Sequence, residues 1–118
     1  QDLFRPHLGS VRPQSGRVKL ELPRLADNGH SVPLRLTVAA TVGGSDRVQR
    51  VLLLSNRNPR PLIADVEFGP ASTTPALNTR VRLNGSQTVY ALAQWSDGSW
   101  WMDQADVEVT ESACLDQT

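Results

Sequence analysis

Along most of the chain apolar and polar residues alternate, the period of a β-strand with one face turned to a core. Val18, Leu20 and Leu22 alternate with Lys19 and Glu21, and Leu34, Leu36, Val38 and Ala40 form a second such row. The segment Asp27-Asn28-Gly29-His30 between them is a turn, because Asn-Gly accepts the positive φ that tight connections require. Residues 48–54 are almost continuously apolar, which predicts a central strand. Residues 56–61 end it, where Pro59 and Pro61 supply no N–H to a ladder. In the next strand Leu62, Ala64, Val66 and Phe68 take one face against Ile63, Asp65 and Glu67, and Gly69-Pro70 stops it. Leu77, Thr79, Val81 and Leu83 then face away from Asn78, Arg80, Arg82 and Asn84. Asn84-Gly85 predicts a hairpin from this strand into residues 87–95, where Val89, Ala91, Ala93 and Trp95 share a face. Ser96-Asp97-Gly98-Ser99 turns the chain into residues 100–110, with Val107 and Val109 inward.

Seven short strands, no amphipathic helix and turn clusters at about 10–15-residue spacing describe an all-β antiparallel β-sandwich, with a small open barrel as the rival. Pro6, Gly9, Ser10, Pro13, Ser15 and Gly16 mark residues 1–16 as a flexible lead-in, and residues 111–118 are a polar tail beyond the domain at 17–110.

A chain of 118 residues fits one domain with a modest two-layer core. Twelve basic and twelve acidic residues cancel, so no summed field favours nucleic acid or an anionic membrane as partner. The longest apolar run, Val51-Leu52-Leu53-Leu54, is far short of the roughly 20 residues of a membrane-crossing helix. The first residues, Gln1-Asp2-Leu3, lack an initiator methionine, a start that suits a cleaved leader or a trimmed chain.

Chemistry is sparse. A single cysteine, Cys114, excludes an internal disulfide and leaves a free thiol or a disulfide-linked dimer. Glu111 and Asp116 near it disfavour the thiolate, so the unaided thiol is expected to react slowly. His7 and His30 have no ligand spacing, and neither a metal nor another cofactor is expected. Asp97 and Asp103 form no recognisable acid–base arrangement, Arg80 and Arg82 read as a solvated strand face, and no residue is assigned a catalytic role. Adjacent Trp100 and Trp101 must point to opposite faces; if Trp101 packs inward, Trp100 is exposed or covered by another chain, a candidate partner interface.

Three segments carry a family resemblance: Leu22-Pro23-Arg24-Leu25-Ala26-Asp27-Asn28-Gly29 leading into Val32-Pro33-Leu34, then residues 56–62, and residues 86–98, with Asn58-Pro59-Arg60-Pro61-Leu62 and Ser96-Asp97-Gly98-Ser99 as the matching stretches. Together they resemble SoxY from about Arg17 to Cys114. The resemblance implies an immunoglobulin-like sandwich paired with a SoxZ-like subunit in periplasmic thiosulfate oxidation. It implies a non-enzymatic carrier whose cysteine, at the position of Cys114, holds sulfur intermediates for transient visits by enzymes of the SoxAX, SoxB and SoxCD type. The family's cysteine is flanked on each side by two glycines, whereas here the arm reads Ser112-Ala113-Cys114-Leu115. Side chains at those positions stiffen and thicken the arm. A second reading is a binding or assembly module that keeps the fold without carrier function.

Overall fold

The computed structural model describes residues 3–39, 47–69 and 76–110. One helical turn, α1 (Arg5–Leu8), precedes β1 (Gln14–Ser15), β2 (Val18–Glu21), β3 (Leu25–Ala26) and β4 (Val32–Val38). Then come β5 (Val48–Ser55), β6 (Leu62–Glu67), β7 (Ala76–Val81), β8 (Gln87–Trp95) and β9 (Trp100–Val109). The seven longer strands are the expected ones, and they build two facing sheets rather than a barrel. The larger has the order β1-β9-β8-β5-β6, with β3 also on β9, and the smaller the order β2-β4-β7. The sandwich is therefore antiparallel, apart from the two-residue strands β1 and β3, which add in parallel to β9. Those two pieces blunt the outer edge of a ten-residue strand that otherwise offers a template to another chain.

The alternation in the sequence becomes the inner layer. Val18 and Leu20 of β2, Leu34, Leu36 and Val38 of β4, and Val89, Ala91, Ala93 and Trp95 of β8 are buried in one cluster with Val51 and Leu53 of β5. Ala40 lies outside the described residues. β5 lies between β8 and β6 and is buried on both faces, as its unbroken apolar run requires: Leu52 and Leu54 point the other way, into a second cluster with Leu92 and Trp100.

That second cluster corrects the reading of the first 16 residues. Leu3, Phe4 and Leu8 lie over the outer face of the larger sheet, Leu8 buried and Phe4 edge-on to Tyr90 with ring centroids 5.2 Å apart. Gln14 and Ser15 then pair with Trp101 and Met102. The cause is the apolar outer face of β5 and β8, which has to be covered, and Phe4 and Leu8, four residues apart on one turn, cover it.

A second correction concerns Asn84-Gly85. Residues 77–83 and 87–95 do not form a hairpin: β7 pairs with β4, and β8 with β5 and β9, so the turn carries the chain from one sheet to the other. Gly85 has φ 135°, and a Cβ there would lie 2.8 Å from Arg57 Nε. Each strand's period matches burial against either sheet, and an Asn-Gly turn serves both routes.

β6 also departs from strict alternation. Its register on β5 slips between Leu53 and Leu54, so Leu62 is 39% exposed while Ile63 joins Ala64 and Phe68 against the core. One extra residue in the strand reverses the phase on either side of it. The strand is held on its solvent side by Arg50, whose guanidinium donates to both oxygens of Asp65 at 2.9 and 2.6 Å. These bonds lower the Asp65 pKa below the ordinary carboxylate value. A folded pKa below the unfolded one stabilises above the unfolded value, and the gain is lost as pH falls through the folded value. Asp65→Asn is accordingly expected to lower stability by less than about 1 kcal/mol at neutral pH, since the pair is partly solvated. Thermal melts of the two proteins should converge in strong acid; a gap that ignores pH contradicts an electrostatic role.

Candidate functional site

The described chain ends where the expected arm begins, and that end is fastened from both sides. Val109 donates its N–H to Ser86 Oγ at 2.8 Å, Glu108 donates to the Arg24 carbonyl at 2.8 Å and Thr110 to the Ala26 carbonyl at 3.0 Å. Thr110 Oγ1 donates to the Asp27 carbonyl at 3.0 Å. Any segment leaving Thr110 thus starts from a fixed point beside the 84–86 turn.

A buried polar cluster holds that turn. Ser55 Oγ donates to Gln87 Oε1 at 2.5 Å and accepts the N–H groups of Arg57 and Asn58 at 3.0 and 2.7 Å. Gln87 Nε2 in turn donates to Asn58 Oδ1 at 3.1 Å and to the Gly85 carbonyl at 3.0 Å. Asn58 Oδ1 also accepts from the Asn84 amide at 3.0 Å, and Asn58 Nδ2 donates to the Arg82 carbonyl at 2.9 Å. The proline-rich loop 56–61 and the 84–87 turn are therefore one rigid unit, which explains why that loop needs an Asn at 58 and a Ser at 55.

Beside this unit the sandwich is open. A groove of about 500 Å³ runs between β6 and β7, floored by Ile63, Ala64 and Val81 and rimmed by Arg60, Arg80 and Arg82. No acidic side chain is among the described residues that line it. Asn84 also lines it, and its Oδ1 is buried without a hydrogen-bond partner among the described residues. Arg80 and Arg82, read from the sequence as a solvated face, are exposed and belong to this rim.

Cys114, Ser112, Ala113 and Leu115 lie outside the described residues. Trp100 and Trp101 do take opposite faces, but Trp100 is 6% exposed and is covered by Leu8 of its own chain, not left open for a partner. The N-terminal turn accounts for the difference. Trp101 packs toward the inner layer, donates from Nε1 to Ser99 Oγ at 3.0 Å and carries the Arg17 guanidinium 4.2 Å from its ring centroid. Asp97 and Asp103 are apart and structural: Asp97 accepts from Ser99 N and Oγ in its turn, and Asp103 accepts from the Leu20 N–H at 2.8 Å, tying β9 to β2. The Asp97 pKa is lowered by the Ser99 hydroxyl and amide. His30 closes an Asx turn by donating its N–H to Asn28 Oδ1 at 2.8 Å. The described residues contain no group of three or more His, Cys, Asp or Glu side chains placed for a metal, and no helix among them is long and apolar enough to cross a membrane.

The family model for the sulfur oxidation protein SoxY matches residues 6–114. The chain belongs to the SoxY family. Among solved structures, the sulfur carrier protein SoxY from Chlorobium limicola f thiosulfatophilum is similar, with TM-score 0.74, 21% identity and coverage of 92% of this chain and 94% of that one. A putative superoxide reductase from Thermotoga maritima has TM-score 0.67 at 18% identity, covering 92% and 91% of the two chains. A single-residue variant of the superoxide reductase (neelaredoxin) from Ignicoccus hospitalis has TM-score 0.68 at 17% identity, covering 92% and 90%. At these identities the structural likeness speaks for the sandwich alone. A search of curated proteins finds no match. Membership in the SoxY family places the chain in sulfur oxidation, and its match extends to Cys114 itself.

Proposed function

We propose that the chain is a sulfur-compound carrier, with residues 111–118 as its arm and Cys114 as the covalent attachment point. The observation that carries this reading is that the family match continues through the tail to residue 114. The fixed exit at Thr110 supports it, since an arm that swings from a fixed base presents its cargo at a defined place on the protein surface. In this reading the sandwich pairs with a SoxZ-like subunit in the periplasm, and enzymes of the SoxAX, SoxB and SoxCD type visit the arm and perform the redox chemistry. The chain itself binds and presents and catalyses nothing.

Intact-mass spectrometry of protein purified without reductant from thiosulfate-grown cells tests this. Reducible additions matching sulfur, sulfite or thiosulfate are expected on the native chain and absent from Cys114→Ser. An unmodified thiol on a chain that still binds its partner would replace the carrier with a non-catalytic assembly module. The exchange of flanking glycines for Ala113 and Leu115 is what makes that second reading worth separating.

A further inference from the structure

The sequence holds the pair Asn-Gly twice, at Asn28-Gly29 and Asn84-Gly85, and the fold treats the two pairs differently. An asparagine side chain is open to attack at its carbonyl carbon by the backbone nitrogen of the next residue, which closes a five-membered imide. Glycine in that next place offers no Cβ to obstruct the approach. In a folded chain the step then depends on a side chain held over the following backbone, a donor for the oxygen on which charge develops, and access for water.

Asn28 meets these conditions. Its side chain is folded back over the turn, with Oδ1 accepting the His30 N–H at 2.8 Å, the Asx arrangement. That N–H faces the oxygen that turns negative in the tetrahedral intermediate, so the bond that shapes the turn also stabilises the charge. Asn28 is exposed, and the Gly29 N–H donates to no backbone carbonyl among the described residues. Asn84 is its opposite. Its amide donates to Asn58 Oδ1 at 3.0 Å, and the Gly85 carbonyl accepts from Gln87 Nε2 at 3.0 Å, which clamps the pair on both sides. The Asn84 Oδ1 is buried without a hydrogen-bond partner among the described residues, so no donor receives the charge there.

We infer that Asn28 is a self-modifying site whose conversion slackens the root of the arm. The Gly29 nitrogen gives up its proton and bonds to Asn28 Cγ, the Cγ–Nδ2 bond breaks and Nδ2 departs as ammonia. Water then opens the imide at either carbonyl and leaves aspartate or isoaspartate at position 28, with no change of oxidation state. Both products add a negative charge, and isoaspartate also inserts a methylene into the main chain. The turn carries two bonds to other elements: the Gly29 carbonyl accepts the Leu83 N–H at 2.8 Å, and the Asp27 carbonyl accepts Thr110 Oγ1 at 3.0 Å. A main chain lengthened between Asp27 and Gly29 cannot keep both carbonyls at their present spacing, and the Thr110 anchor loosens. The conversion stands on the geometry of this turn alone; its bearing on the arm rests on the carrier reading.

To test it, full-length protein is held in mildly alkaline water enriched in heavy oxygen, which marks conversion during the incubation, and is then cut with trypsin. The fragments 25–35 and 83–118 each contain a single asparagine, Asn28 in one and Asn84 in the other. Label is expected in 25–35 several-fold above 83–118, with isoaspartate at position 28 on fragmentation. His30→Pro keeps the Asn-Gly pair and removes the N–H, and should lower the label in 25–35 several-fold. The same incubation in guanidinium chloride keeps the comparison readable if that variant does not fold, since there the two asparagines should convert alike. Equal label in the two fragments of the folded protein, label in 25–35 only after unfolding, or undiminished label in folded His30→Pro would each overturn the assisted site. The converted chain, separated by anion exchange, should exchange the Thr110 and Leu83 amide hydrogens several-fold faster than the native one; unchanged exchange would overturn the slackened root. Adducts on Cys114 are read independently, so a carrier that never converts at Asn28 and a converting chain that carries nothing are told apart.

Discussion

Trp95→Ala should lower unfolding stability by about 3–5 kcal/mol, the range for removing a buried aromatic side chain from a packed core. Trp95 is 1% exposed and is the largest of the fully buried side chains. It sits opposite Val48 at the end of β8, among inner-layer residues from both sheets. Little of the loss can be recovered, because the surrounding groups are strand residues fixed by ladder hydrogen bonds and cannot collapse into the space. Against a total of about 5–15 kcal/mol for a domain, the variant is close to unfolded at physiological temperature. Urea unfolding measures it, and the milder Trp95→Phe keeps the experiment readable if the alanine variant does not fold. A loss below about 1 kcal/mol would mean that Trp95 is not a core residue.

Ser55→Ala removes one oxygen and strands three groups. Gln87 Oε1 loses its donor, and the Arg57 and Asn58 amides lose their acceptor. Ser55 is 1% exposed, so water does not replace the hydroxyl. An unsatisfied buried polar group costs about 1–3 kcal/mol, which puts the expected loss on the order of 3 kcal/mol rather than the ~1 kcal/mol of a single hydrogen bond. Faster hydrogen exchange at Arg57 and Asn58 should accompany it, since loop 56–61 hangs on this hydroxyl. Thr88→Ala is the comparison: it breaks one exposed bond to Asp106 and should cost less than about 1 kcal/mol. If the two variants lose equally little, the cluster does not hold the loop.

What can be read from the sequence divides along a physical line. Period-two segments such as 34–38 and 48–54 are legible because a strand with one buried face, or with both, leaves an unambiguous record of burial. The route of the chain between sheets is not. Asn84-Gly85 records that the backbone reverses, and nothing in either flanking strand records whether the partner is its neighbour or lies in the other sheet. Leu62 and Ile63 take the opposite phase from the one their alternation suggests because a bulge is a property of the pair of strands, and β6 alone does not contain it. The four residues of α1 are too few to show a helical period, and Pro6, Gly9 and Ser10 around them argue for a loop; only the need to cover Leu52, Leu54, Leu92 and Trp100 makes the turn intelligible. At the site, the resemblance leads to loop 58–62 and to the tail, but the groove beside them arises from the way two sheet edges fail to meet, which no local pattern encodes.

The position of β9 has a kinetic consequence. The last described strand is the one to which β1 and β3 from the first quarter of the chain are added, and the Leu20 amide bonds Asp103 across 83 residues of sequence. Contacts of such long separation must wait for a large loop to close, which puts folding in the slow, millisecond-to-second class of all-β domains. No nascent chain can complete the sandwich before residues 100–109 arrive. The polypeptide therefore stays open through most of its synthesis and closes once its final strand is free.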